Sequence, residues 1–198
     1  MISRDSAWHL LCEYTRSESL RKHALAVEAC MTAYARRFGL DQQSQALFAL
    51  AGLLHDFDYE KHPTPEEHPF VGNKVLRERG YPDEVMHAIL AHADYSGVKR
   101  ESQMDKVLYA CDELSGLITA ATLVKPSKNI SDLDARSVRK KMKDKAFART
   151  VHRDDIINGA ADLGVDLDEH ITFCIEAMKG IAGQLGLDGS AAAPVSQS

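Results

Sequence analysis

A histidine and an aspartate, His55 and Asp56, close the unbroken apolar run Ala46-Leu-Phe-Ala-Leu-Ala-Gly-Leu-Leu54. A run of that kind is buried, and an imidazole beside a carboxylate at its end is expensive in a low-dielectric interior unless a positive charge meets them. His23, His92 and Asp112 each fall on or beside the apolar face of a helix-patterned segment, and His68 shares a face with Val71, Gly72 and Val75. Buried carboxylates without partners are destabilising by about several kcal/mol each. Two of them near several imidazoles, with no obvious buried Arg or Lys, point to a divalent cation. Imidazole with carboxylate is a borderline-hard donor set that suits Mn, Fe, Co or Zn. Four His with two Asp suffice for two ions if one carboxylate bridges. This reading needs spatial convergence: His23 and Asp112 must lie within about 10 Å of His55 and Asp56, since coordinate bonds reach only about 2 Å.

The elements that must position these residues are helical, because apolar residues recur near every 3.6 positions and no convincing alternation marks a strand. The pattern predicts helices over 4–15, from Ser17 to Gly39, and from Asp41 to about Asp56, the last apolar nearly all round and so central. Thr64-Pro-Glu-Glu67 has the form of a capping box and predicts a fourth helix running to Gly80. A fifth is expected from Tyr81-Pro82 to about His92, and a sixth from 103 to 121. After a break at Lys125-Pro126, a basic helical segment starts at Ser131 or Asp132, as one helix or two short pieces, and helices over 153–163 and 167–186 come after it. Ile171, Ile175, Met178, Ile181 and Leu185 form a stripe that packs the last of these on the bundle. The expected architecture is one all-α domain over 1–187 with a disordered tail at 188–198.

Composition narrows the setting. The longest apolar stretch is the run ending at Leu54, too short for a bilayer span, and the first residues hold no apolar signal region. The four cysteines form no CxxC pair and read as reduced thiols. A cytoplasmic protein without membrane attachment is therefore expected. The net charge of −5 argues against stable nucleic-acid binding. That average hides ten Lys/Arg against three Asp between Lys125 and Arg153, a stretch that either faces solvent or meets a phosphate-bearing ligand. Lys140, Lys141, Arg149 and Arg153 are its candidate substrate contacts, Arg with the advantage of two parallel hydrogen bonds to phosphate.

The order His23, His55-Asp56, Asp112 on successive helices resembles the HD superfamily of metal-dependent phosphohydrolases. Leu53-Leu54-His55-Asp56 matches the core of its motif, and Ala88-Ile-Leu-Ala-His92 and Val107-Leu-Tyr-Ala-Cys-Asp112 resemble its later ligand-bearing helices. Glu67-His68-Pro69 through Gly72 resembles the extra histidine of members with two ions. The likeness covers roughly residues 20–120. Many members continue the pair as His-Asp-Ile-Gly-Lys, whereas this chain has His55-Asp56-Phe57-Asp58-Tyr59, with Lys61 two positions beyond the usual Lys.

The resemblance implies an all-α HD-type bundle holding one or two divalent ions (Mn, Fe, Co, Zn, Ni or Mg) on His23, His55, Asp56, His68, His92 and Asp112. It implies hydrolysis of a phosphate ester or anhydride of a small molecule, a nucleotide by family precedent, with His55 and Asp56 at the reacting centre. Asp58 and Glu113 are expected to orient imidazoles, and His62 or Lys61 to supply a proton to the leaving group. His9, His62, His87, His152 and His170 are expected at the surface or around the ligands. The same ligand set would serve a di-iron oxygenase of this fold, and a non-catalytic sensing module is the third possibility. A homodimer is compatible with a helical chain of this size.

Overall fold

The computed structural model describes residues 2–190 and 192. Ten α-helices and no strand are found among them: α1 (Arg4–Tyr14), α2 (Glu18–Arg37), α3 (Gln42–Leu54), α4 (Phe70–Glu78), α5 (Asp83–Ala91), α6 (Gln103–Leu123), α7 (Ala135–Lys143), α8 (Arg153–Leu163), α9 (Leu167–Lys179) and α10 (Ala182–Leu185). No helix of the described residues is long and apolar enough to cross a membrane.

Side-chain caps set the helix starts. Ser17 accepts from the Leu20 amide and Asp41 from the Ser44 amide, so α2 and α3 begin where the sequence places them. Ser102 and Asp105 form a reciprocal capping box at the head of α6. α4 departs from expectation. Thr64 to His68 makes only turns, with the His68 amide bonded to the Thr64 carbonyl, and the helix proper starts at Phe70. Pro69 is the cause: it has no amide to donate, and it disfavours helical backbone at His68. The basic segment is also less helical than expected, since α7 ends at Lys143 and turns lead on to Val151. The last predicted helix is broken at Gly180 and Ile181 into α9 and α10. The expected disordered tail falls mostly on residues outside the described set, although Asp188 pairs with Asn129 in an isolated bridge.

α3 and α6 are the inner elements. α3 packs against α1, α2, α5 and α6, while α6 touches α2, α5, α7, α8 and α9. Phe48, Leu50, Ala51, Leu53 and Leu54 of α3 are buried together with Val107, Leu108, Leu114, Leu117 and Ile118 of α6. Gly52 allows α3 to lie directly on α2, because a Cβ there would sit 2.9 Å from the Glu28 Cα. That close crossing at Glu28 brings the C-terminal end of α3 alongside the N-terminal half of α2, where His23 stands. From the C-terminal stripe, Ile171, Ile175, Met178 and Leu185 are buried as expected and Ile181 is partly covered.

Candidate metal centre

Five elements deliver the site: α2 brings His23, the end of α3 His55 and Asp56, the turns beyond it Asp58 and His68, the end of α5 His92, and α6 Asp112. His55 and His92 are the C-cap residues of α3 and α5. The last carbonyls of a helix lack intrahelical partners, and each imidazole uses one. Nδ1–H of His55 donates to the Gly52 carbonyl at 2.9 Å, and Nδ1–H of His92 to the Ile89 carbonyl at 2.5 Å. His68 donates from Nδ1 to Asp58 Oδ1 at 2.7 Å, and His23 Nδ1 lies 3.4 Å from Ser115 Oγ, which itself donates to the Asp112 carbonyl. With Nδ1 committed in this way, all four imidazoles turn Nε2 inward, the atom that takes a metal ion once any proton on it has left, as metal-binding histidines do. The C-terminal ends of α3 and α5 also direct their negative dipole ends at the cluster, which favours a cation.

The inward atoms form two sets. Nε2 of His23 and His55 are 3.2 Å apart, and Asp112 Oδ1 lies 2.9 Å from the first and 3.3 Å from the second. Asp56 Oδ2 is 3.5 Å from His55 Nε2. The other oxygen of Asp56, Oδ1, faces the second set, 3.2 Å from His68 Nε2 and 3.4 Å from His92 Nε2. Asp56 thus belongs to both groups of potential ligands. Ligand atoms held on one ion by bonds of about 2.1 Å are separated by roughly 3.0–3.4 Å, whether the angle is octahedral or tetrahedral. The observed spacings, from 2.9 to 3.5 Å, stay within about 0.1 Å of that range. Two unprotonated nitrogens 3.2 Å apart repel one another unless a cation or proton lies between them, so the donor set itself fits a metal ion.

Electrostatics agree with the geometry. Burial opposes charge on His55, but Asp56 and Asp112 outweigh it and hold the imidazole pKa well above its ordinary value. Burial likewise acts against ionised Asp56 and Asp112, yet the surrounding imidazoles keep both carboxyls well below the usual range. His68 is raised from 6.5 to about 9: burial acts against the charge, and Asp56 and Asp58 overcome it. Glu113, unlike Asp56 and Asp112, is raised, to about 7, through burial and the adjacent Asp112. The site is reachable, since the side chains of His23, Asp56 and Asp112 keep 21%, 24% and 20% of their surface exposed while His55 has none.

The structure therefore brings together all six residues expected as ligands, well within the required distance. Asp58 orients His68 as expected of it, and the Gly72 amide donates to its other oxygen at 2.7 Å. Gly72 has a tighter duty than leaving room for a ligand: a Cβ there would lie 2.6 Å from the Asp58 Cγ. Glu113 does not orient a ligand but accepts from the His152 amide at 3.2 Å. Lys61 lies over the Tyr14 ring and His62 pairs with Glu67, so both are occupied outside the cluster. His170 is a correction, being fully buried between the Tyr34 hydroxyl and the Ala110 carbonyl. Ser115 is a support that sequence reasoning misses, though its position three residues after Asp112 places it on the same helix face.

The four basic candidates are not gathered around the ligands. Lys140 is exposed on α7, Lys141 lies over the Phe147 ring, and Arg149 is exposed in the turns before α8. Arg153 turns its guanidinium onto the carbonyls of Ala148, Val151 and Phe147. It thereby ties down the segment that carries Arg149 and Ala148, the latter held at φ +41°. Through His152 and Val151 the segment meets Glu113 and Gly116 of α6, next to Asp112.

A bundle with imidazoles and carboxylates in this order is of the HD type, and residues 20–117 match the HD domain family model. Residues 20–117 are thus an HD domain, the domain that defines the HD superfamily of metal-dependent phosphohydrolases. Among named relatives it is similar to Ribonuclease Y of Desulfotalea psychrophila (strain LSv54 / DSM 12343), with 29% identity over 141 residues. That alignment takes in 69% of this chain but only 26% of the relative. No solved structure matches the chain significantly.

Proposed function

We propose that the chain is a phosphohydrolase that cleaves a phosphate ester or anhydride, a nucleotide being the favoured substrate. The observation that carries this reading is the convergence of four inward Nε2 atoms and two carboxylates in one partly exposed cluster, with Asp56 shared between two sets. His23, His55, Asp56 and Asp112 would hold one divalent ion, and Asp56, His68 and His92 a second. Such an ion would lower the pKa of bound water well below that of bulk water and offset charge on phosphoryl oxygens.

The protein's own contribution is orientation and charge. Asp58 and the helix-end carbonyls of Gly52 and Ile89 keep the imidazoles in the tautomer that presents Nε2. The depressed carboxyls of Asp56 and Asp112 stay ionised at neutral pH, so they attract cations without prior deprotonation. Of the basic candidates, Arg149, exposed in the turns that lead to His152 beside Glu113, would be the one to contact phosphate. Arg153, spent on backbone carbonyls, would act on substrate through the segment it holds. The similarity to a protein named as a ribonuclease supports a phosphodiester as one form of the substrate.

Elemental analysis of protein purified without chelators, followed by a phosphate-release screen with the metal found, tests the reading. Stoichiometric metal and release that is lost in Asp56→Asn are expected. Oxygen-dependent turnover without phosphate release would assign the site to oxygenase chemistry instead, and absence of both metal and turnover would leave a sensing module.

A further inference from the structure

Large aromatic side chains are normally covered, so the exposed ones ask for a reason. Among the described residues those most exposed are Tyr59 at 42%, Phe70 at 40% and Tyr95 at 53%. Each stands within three residues of a candidate ligand: Tyr59 after Asp56, Phe70 after His68 and Tyr95 after His92. The Tyr59 ring stands edge-on to His68, with centroids 5.4 Å apart at 88°. Tyr95 is close enough that, beside burial, the charges of Asp56, Tyr59, Asp58 and Asp112 push its phenol up to about 12. Tyr59 thus borders the metal centre at His68, Tyr95 stands in the single turn that follows His92, and both show much of their surface to solvent.

Neither ring rides on a loose loop. The turn around Tyr59 is tied by Thr15 Oγ1 to the Phe57 carbonyl at 2.9 Å, and by Glu60 to the amides of Arg16 and Ser17. The single turn Asp94–Ser96 is tied by Ser96 Oγ to the Leu90 carbonyl at 2.6 Å, and by Arg100, which bonds Asp94 and lies over Tyr109. An aromatic surface held out into solvent by a braced backbone loses little entropy when a flat ring lies on it.

We infer that Tyr59 and Tyr95 form an aromatic rim that grips a planar ring carried by the substrate, beside the place where its phosphate would be held. The inference rests on the phosphohydrolase reading and sharpens it: the rim selects phosphates that bear a heteroaromatic group over aliphatic or plain sugar phosphates. Stacking is tolerant of which ring is offered, so the rim selects flatness rather than one base.

The test is the ratio of two dissociation constants, measured by calorimetry on the Mn2+-loaded protein. Adenosine 5′-monophosphate and ribose 5-phosphate differ by the base alone, and any change in phosphate affinity common to both cancels. The wild-type protein should favour the nucleotide by about ten- to a hundredfold, the range expected for a stacked base. Tyr95→Ala should bring the ratio down about tenfold and Tyr59→Ala should act in the same direction. Tyr95→Phe, which keeps the ring and the fold, should retain the wild-type ratio. Equal binding of the two ligands by the wild-type protein, or an Ala variant with the ratio intact, overturns the rim and leaves the phosphohydrolase reading standing. Failure of both ligands to bind overturns both.

Discussion

Asp58 touches no candidate ion, yet the structure makes it decisive for only one half of the centre. Its carboxylate is 1% exposed and accepts two charge-assisted hydrogen bonds of 2.7 Å, from His68 Nδ1 and the Gly72 amide. In Asp58→Asn one of these must become a contact between two donors. A hydrogen bond to a charged group contributes about 1.5–3 kcal/mol, and loss of a partner behind a metal ligand weakens metal binding by about 10- to 100-fold. At about 1.4 kcal/mol per decade that is roughly 1.4–2.7 kcal/mol, the value of about one such bond. The other set has different supports, the Gly52 carbonyl behind His55 and Ser115 behind His23. Calorimetric titration of chelator-stripped protein should therefore show two binding steps. Asp58→Asn should weaken one by about 10- to 100-fold and change the other by less than about threefold. Gly72→Ala, whose Cβ would press on the Asp58 carboxylate, should reproduce the pattern. Two steps weakened equally, or neither, would refute the division of the site into two separately supported halves.

Asp56→Ala, by contrast, removes the one carboxylate that faces both sets, and metal content by elemental analysis should fall for both ions together. In metal-free protein, His68 rises from 6.5 to about 9 on folding, which corresponds to roughly 3 kcal/mol. Because the folded pKa is the higher one, that stability is complete below about 6.5 and is lost as pH climbs through about 9; urea denaturation across this window should track it. The same proton must leave before an ion binds, so metal affinity should increase with pH until about 9, with protons released into a weak buffer. Arg149→Ala should raise KM by about tenfold and change kcat less, if the guanidinium contacts phosphate in the ground state. Arg153→Ala should free the turns after α7, read as faster proteolytic cleavage between 144 and 151.

The helices were legible in the sequence where local chemistry decides them: Ser17, Asp41 and Ser102 cap α2, α3 and α6, and the apolar face of α3 marks it as central. Pro69 set the limit. Thr64 to Glu67 carries the composition of a helix start, but a proline five residues on cannot donate to a carbonyl in the preceding turn, so the chain turns until Phe70. The segment after Lys143 was opaque for another reason, because its backbone is organised by Arg153, whose partners are carbonyls with no side-chain signature.

The ligand residues were legible because ionisable groups on apolar faces are costly and therefore informative. Their supports divide by the same logic. Asp58 carries a charge that sequence can register, whereas the carbonyls behind His55 and His92 belong to every residue and register nowhere. Sequence could not disclose which groups lie on the open side. Tyr59 and Tyr95 lie in segments without helical pattern, where sequence does not register how much of a ring is covered, and their exposure near ionised carboxylates is what marks a binding surface. A cluster that attracts cations without a surface to hold a substrate would be a storage site; the exposed edges of His23, Asp56 and Asp112, with the Tyr59 ring beside His68, are what make catalysis the better reading.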